Sequence, residues 1–324
     1  MSPTSPQRVD RPAYDRLTPT FMVELAAPHT WPAAIFPVFV ACALAVANGG
    51  YKGTGSVNGL MVLVLLAICI LLQSAVNTIN DYFDFVKGTD SVDNQPDPTD
   101  AVLVYHHVNP KSVRTYFISL IAVAFALGVY VIARTGWVPL VIALVGVVVI
   151  FLYSGGKTPI SYLPLGEAVS GFVMGGLIPL ACYQALTGSF SWMVLLWSVP
   201  LILGIALIML TNNGCDIDKD ALAHRKTLPV LLGHDRTRTL YHAIIYLWIG
   251  AICLLVLVFF FDGWIALPFM LLAAHPFGRK LLANPLTPQS RAGAFALCAT
   301  MNITLGAFYG AAIIASIVPT VFVI

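Results

Sequence analysis

The stretch Asn77-Thr78-Ile79-Asn80-Asp81-Tyr82-Phe83-Asp84 closes a long apolar run. On a helix, Asn77, Asp81 and Asp84 fall at i, i+4 and i+7 and share one face. Asn212, Asp216 and Asp220, at i, i+4 and i+8, close a second apolar run in the same way. A carboxylate in or near hydrocarbon costs about 2.5–3.5 kcal/mol on insertion scales, so such residues mark a functional site more often than packing. Several together repel one another unless a cation sits between them. The two faces therefore read as a magnesium site and, through the ion, a diphosphate site.

Of the 324 residues, 58% are hydrophobic and 10% charged, with mean hydropathy +0.85; soluble domains carry about 25% charged residues. A polytopic membrane protein is expected. The six cysteines, Cys42, Cys69, Cys182, Cys215, Cys253 and Cys298, show no CxxC or Cys/His pairing and read as buried small residues. Residues 1–20 are polar, with Arg8, Arg11 and Arg16 and no apolar core, and read as a mobile cytoplasmic tail rather than a signal peptide. Residues 21–324 read as one transmembrane domain, opening with an apolar segment at 21–27 suited to the interface. Nine apolar spans follow, at 30–48, 57–80, 112–133, 137–153, 165–186, 192–212, 240–261, 263–278 and 292–321. The fourth and eighth are short for a crossing of about 20 residues. With the N-terminus inside, one side receives every Lys and Arg except Lys52 and Arg134. That positive-inside bias puts both Asn/Asp motifs at the cytoplasmic face. The recurrence of an apolar helix ending in Asn-x-x-x-Asp also suggests an internal duplication.

Oxygen ligands at helix ends suit a hard cation, and magnesium takes a few carboxylates, substrate phosphates and water. It would neutralise a diphosphate leaving group as the carbon–oxygen bond breaks. Lys157, Arg225 and Lys226 are candidate partners for the outer phosphate oxygens, and Tyr153 or Phe83 offers an aromatic face to a carbocation. Structural readings stand beside these. Asp81 and Asp216 also fit helix-end carboxylates satisfied by loop donors, and Lys157 fits an interfacial anchor. Asp218 falls off the motif face. Asp90, Asp93, Asp97 and Asp100 fit a solvated loop, with Asp90 in reach of a second ion. Glu167 fits either a helix N-terminus or a substrate contact, and His106 and His107 fit a loop surface.

Four segments resemble the UbiA superfamily of intramembrane aromatic prenyltransferases, and within it the dihydroxynaphthoate polyprenyltransferases of menaquinone synthesis. They are AAPHTWPAAIFPV (26–38), NTINDYFDFVKGTDSVD (77–93), YSGGKTPISYLPLGEAVSGFVMG (153–175) and TNNGCDIDKDALAHRKTLPVLLG (211–233). The resemblance implies an all-α bundle of nine transmembrane helices around a central cavity, with a cytoplasmic polar cap and a side opening to lipid. It carries Asn77, Asp81, Asp84, Asn212, Asp216 and Asp220 over as magnesium–diphosphate positions, with Asp81, Asp216 and Lys157 in catalytic roles. Asn80, Tyr153, Lys157, Arg225 and Lys226 become substrate contacts. The implied reaction moves a prenyl group from a polyprenyl diphosphate to a small aromatic acceptor within membrane lipid, without nucleic acid. Dihydroxynaphthoate comes ahead of hydroxybenzoate, homogentisate, a chlorophyllide or a glyceryl ether. An ion-coupled transporter is the rival from another class, disfavoured because its carboxylates belong near the bilayer midplane. The chain also departs from the family pattern. Gly88 stands where many members place an aspartate, His29 where a basic residue follows the proline, Cys215 for an arginine and His224 for a glycine, and 94–109 holds no Arg or Lys.

Overall fold

In the computed structural model, residues 14–88 and 101–317 are described; Asp90, Asp93, Asp97, Asp100, Arg8 and Arg11 lie outside them. Among the described residues the architecture is all helix, with no strand beyond a single bridge between Asp15 and Val108. The order is α1 (Pro19–Ala26), α2 (Pro32–Ala47), α3 (Gly59–Lys87), α4 (Val102–His106), α5 (Pro110–Thr135) and α6 (Val138–Ser154). Next, α7 (Gly166–Phe172) runs through a π-helical turn (Val173–Leu177) into α8 (Ile178–Thr187). Then come α9 (Met193–Trp197), α10 (Val199–Cys215), α11 (Ile217–Leu222), α12 (Leu228–Phe259), α13 (Ala266–Leu282) and α14 (Arg291–Ala315).

Local signals set these limits. The Asn58 side chain accepts the Met61 N–H at the start of α3, and Gly88, at φ 70°, ends that helix in the left-handed conformation. The Asn109 side chain caps α5 ahead of Pro110. Among the described residues six helical stretches are long and apolar enough to cross a membrane: Pro32–Gly53, Gly59–Lys87, Pro110–Thr135, Gly166–Thr187, Leu228–Phe259 and Pro288–Ala315. The fourth, sixth and eighth spans expected from sequence meet α6, α10 and α13, of 17 residues each. At 1.5 Å per residue these reach about 25 Å, short of a core of about 30 Å.

Large apolar side chains such as Leu63, Val129, Leu247, Leu254 and Leu272 stand exposed on the outer faces, the arrangement lipid favours and water does not. Inside, helices are tied by buried polar contacts: Asn302 Nδ2 donates to Gly204 O at 3.2 Å, and the Tyr309 hydroxyl to Trp197 O at 2.8 Å. The two basic residues set apart by the charge pattern meet at one end, where the Tyr51 hydroxyl donates to Arg134 O at 3.3 Å beside Lys52. Both Asn/Asp motifs are brought together elsewhere in the bundle.

The N-terminal segment is more engaged than a tail ending at residue 20. Asp15 N–H donates to His107 O, Asn109 N–H donates to Asp15 O, and α1 begins at Pro19. Its Leu25 joins Val102, Leu103, Val108 and Val113 in a small apolar cluster over the end of α3.

The α7–α8 rod lies flush on α10 because Gly171 and Gly175 face Ile202; a Cβ on Gly175 would stand 2.5 Å from the Ile202 backbone nitrogen. Gly175→Ala is therefore expected to lower the melting temperature in detergent, by the equivalent of about 1–3 kcal/mol for overpacking. Gly250→Ala on α12, where an added Cβ meets open space, should leave it unchanged or raise it slightly; equal effects would refute the close-approach argument.

Candidate active site

Arg225 joins the two motifs. Its Nη2 donates to Asp84 Oδ1 at 3.2 Å and its Nη1 to Asp220 Oδ1 at 3.4 Å, so the end of α3 and the short α11 share one cation. The guanidinium lies 4.7 Å above the Tyr162 ring. Its loop is fixed by Arg225 N–H donating to Asp220 O at 2.9 Å, Lys226 N–H to Tyr162 O at 2.8 Å, and Thr227 Oγ1 to Asp220 Oδ2 at 3.4 Å. Burial pushes the Asp220 carboxyl up to about 6, against the downward pull of Arg225. Burial also disfavours charge on Arg225, but Asp84 and Asp220 outweigh it and raise its pKa.

The second motif is not one helical face. α10 stops at Cys215, and Asp216 sits at φ −109°, ψ 18°, with its N–H on Asn213 O at 3.3 Å; α11 then starts. Gly214, a weak helix former, lies just before the break. The break turns Asp216 to Arg291 Nε, 3.5 Å away at the start of α14.

The first motif is continuous helix, and its residues also hold the fold. Asn77 Nδ2 donates to Ala26 O at 3.0 Å and to Thr30 Oγ1 at 2.8 Å. Asn80 Oδ1 accepts from the Ser154 hydroxyl at 2.9 Å. Asp81 is buried, and its carboxylate accepts the Val102 N–H at 2.8 Å and the Leu103 N–H at 3.5 Å, the opening amides of α4. This is the loop-donor arrangement that sequence left as one of two readings.

Of these groups, Asn77, Asn80 and Arg291 line a cavity of about 600 Å³, together with Tyr153 and Asn212, while the four carboxylates and Arg225 stand outside its wall. Farther along, the wall is mostly apolar, with Val149, Ile205, Met209 and Phe295. His29 also lines it, 5.6 Å edge-on to Phe295. Lys157 and Lys226 are exposed on their loops. Asp218 is exposed beside His234, as its place off the motif face implies. Cys215 is buried, 4.0 Å from the Ser290 hydroxyl. Glu167 accepts from Asn213 Nδ2 at 2.8 Å, and His106 stands half exposed 3.8 Å from Glu24.

Two basic residues enter the site that the motifs do not announce. Arg291 is one. Lys87 is the other: its Nζ donates to Ser154 O at 2.6 Å and lies 5.4 Å from the Phe83 ring centre and 5.3 Å from that of Tyr162. In sequence both look like ordinary interfacial anchors.

Among the described residues no three acidic, His or Cys side chains converge into a closed metal cage. Asp84, Asp216 and Asp220 each meet an arginine instead. Arg225 Nε is buried with no hydrogen-bond partner among the described residues, a donor left for an anion. An oxygen-rich rim with such a donor fits magnesium that arrives with a diphosphate and keeps its waters, rather than a resident caged ion.

Outward apolar faces and polar machinery gathered around one cavity define an integral membrane enzyme. Residues 34–306 match the UbiA prenyltransferase family, and the chain belongs to it. It is 33% identical over 229 residues to a 1,4-dihydroxy-2-naphthoate octaprenyltransferase of Bacillus subtilis (strain 168), covering 70% of this chain and 71% of that one. It is 29% identical over 289 residues to UbiA prenyltransferase domain-containing protein 1 of Danio rerio, covering 87% and 80%. The fold is shared with a UbiA homolog from Archaeoglobus fulgidus bound to DMAPP and Mg2+, with a TM-score of 0.61 at 14% identity over 90% of this chain and 98% of that one. The protein is thus a prenyltransferase, and the transporter reading is withdrawn.

A buried carboxyl whose pKa is raised favours the folded state at low pH and loses that advantage as pH rises through the folded value. In magnesium-free detergent, Asp220→Asn should therefore raise stability near pH 7.5 by roughly 1–3 kcal/mol. The gain should fade as pH falls from about 6 toward 3.8; a gain independent of pH in thermal melts would exclude burial as its source.

Proposed function

We propose that the chain transfers a polyprenyl group from its diphosphate to 1,4-dihydroxy-2-naphthoate, with magnesium. In this reading the active site and the N-terminus face the cytoplasm, and nine helices span the bacterial plasma membrane beneath a polar cap. The observation that carries it is the Arg225 bridge between Asp84 and Asp220, which joins two distant acidic motifs whose Asn77 and Asn212 line one largely apolar cavity. The similarity to the Bacillus subtilis octaprenyltransferase supports this acceptor over other aromatic or glyceryl ether acceptors.

Asn77, Asp81, Asp84, Asn212, Asp216 and Asp220 would hold the ion. When bound, magnesium supplies charge neutralisation and Lewis acidity to the departing diphosphate. Lys157 and Lys226, exposed on their loops, draw the diphosphate in and grip its outer oxygens, while Arg225 and Arg291 exchange carboxylate for phosphate oxygen. Asp81, whose carboxylate accepts from α4, couples that helix to loading of the site. The carbon–oxygen bond breaks with its electron pair leaving on the diphosphate. The allylic cation stays against the Tyr153 ring and the apolar wall, where water is excluded. A ring carbon of the acceptor, steered by Asn80, supplies the pair for the new carbon–carbon bond. Aromaticity returns when that carbon loses its proton to the released diphosphate, or its carboxylate as carbon dioxide, the bonding pair returning to the ring.

Purified protein incubated with magnesium, a panel of prenyl diphosphates and a panel of aromatic acceptors, read by mass, tests the assignment. Prenylated naphthoate product is expected, EDTA should stop its formation and magnesium restore it. Asp216→Asn or Asp81→Asn should abolish turnover while leaving the protein folded; wild-type rates in either would remove that residue from the ion site. Lys157→Ala should raise the KM for the diphosphate and leave that for the acceptor unchanged, and an unchanged diphosphate KM would make Lys157 an anchor.

A further inference from the structure

Glu167 is an acid near the site that no cation answers. Its side chain is 5% exposed. Asp84 and Asp220 share Arg225, and Asp216 meets Arg291, whereas Glu167 makes no ion pair among the described residues. Its Oε1 accepts from the neutral Asn213 amide at 2.8 Å, and its Oε2 is buried with no hydrogen-bond partner. A carboxylate buried in this way costs free energy that a counter-charge would offset. Its place in the first turn of α7 recovers some of that cost, but a first turn does not require the acid to be buried away from every cation.

Tyr153 holds the matching unpartnered atom. It lines the larger cavity, yet its hydroxyl is buried with no hydrogen-bond partner, so what it presents to the cavity is ring. A Cβ on Gly166, the residue before Glu167, would stand 3.3 Å from that hydroxyl oxygen and 3.9 Å from Asn213 Nδ2. The hydroxyl and the amide that holds Glu167 therefore flank the same backbone position. A donor with nothing to donate to and an acceptor with nothing to accept are gathered at the start of α7.

We propose that Glu167 is a positioning residue for prenyl transfer: it accepts the Tyr153 hydroxyl hydrogen as substrate fills the site, and so supplies the negative charge against which the allylic cation forms. The inference rests on the prenyl-transfer reading above. Hydrogen bonds of this kind are often long before substrate binds and shorten in the reacting complex. A phenol donating to a carboxylate carries more electron density in its ring, so the ring face attracts a cation more strongly. Val149, Ile150 and Val169 line the same wall, and hydrocarbon screens that attraction little. The prenyl carbon gains positive charge only as its bond to oxygen breaks, so the stabilisation belongs to the transition state and acts on kcat rather than KM.

Glu167→Gln keeps the shape and the oxygen that accepts from Asn213 but removes the charge. In the full-length protein in detergent, with magnesium and saturating donor and acceptor, its single-turnover rate should fall about tenfold or more. Both KM values should stay within about twofold of wild type. In a Tyr153→Phe background the same substitution should change the rate by less than about twofold, because the hydroxyl that carries the effect is gone. A wild-type rate in folded Glu167→Gln, or an undiminished loss in the Tyr153→Phe background, would overturn the proposal. If Glu167→Gln does not fold, Tyr153→Phe alone decides: it keeps the ring and should still lose about tenfold in rate. A second measurement needs no turnover. N,N-dimethylgeranylamine, an ammonium ion at neutral pH, imitates the allylic cation. With magnesium and inorganic diphosphate present, it should bind Glu167→Gln about tenfold or more weakly than wild type, while uncharged geraniol binds both proteins alike. Equal affinities for the ammonium, or equal weakening of both ligands, would overturn the proposal. A wild-type protein that forms no prenylated product would instead count against the prenyl-transfer reading, while ammonium binding still decides the role of Glu167.

Discussion

One guanidinium carries much of this architecture. Arg225 bridges Asp84 and Asp220, and Asp84 lies 141 residues away in sequence. All three side chains are largely buried, and a buried charge is tolerable only while paired. Removing Arg225 would leave both carboxylates uncompensated, which typically costs about 3–5 kcal/mol, whereas Asp220→Asn leaves Arg225 paired with Asp84. The ends of α3 and α11 are therefore held together by a neutralisation requirement as much as by packing. A cation bound with its phosphate ligand could satisfy the same carboxylates, and the arginine could turn to the phosphates without leaving any charge alone.

Around that bridge the motif residues do structural and chemical work at once. Asn77 shows why an amide stands there: its Nδ2 donates to the Ala26 carbonyl and the Thr30 hydroxyl. A carboxylate has no hydrogen to give and would face the Ala26 carbonyl as a second acceptor. Asp81 meets backbone amides of α4, so there a carboxylate fits and an amide nitrogen would not. The alternation of Asn and Asp along this face follows the polarity of its surroundings.

Much of the fold was legible because hydrocarbon is a strict solvent. Each long apolar run became helix, and Asn58, Gly88 and Asn109 mark helix ends by local chemistry that needs no tertiary knowledge. Asp84 and Asp220 stood out as like charges at helix ends that need a counter-charge; the expected counter-charge was magnesium, and in the structure Arg225, expected on phosphate, stands there. What stayed hidden depends on contacts distant in sequence. The pairing of Asp81 with Val102 joins residues 21 apart in sequence, on different helices. Arg291 and Lys87 carry the same local signature as any basic residue at a helix end, so nothing marks them as part of the site. The break at Asp216 reflects a choice between two backbone hydrogen bonds, too fine for periodicity to register.

Glycine placement shows how a bundle can be both tight and hollow. Where Gly171 and Gly175 face Ile202, Gly306 faces Phe36 and Gly310 faces Phe39, an added Cβ would collide. These contacts clamp the α7–α8 rod to α10, and α14 to α2. In lipid such close approach is a main source of helix association, since apolar burial alone contributes little. Gly128 and Gly146 have open space instead, where α5 and α6 line a smaller, apolar cavity of about 160 Å³. Rigidity is concentrated behind the cavity and room is left in front of it.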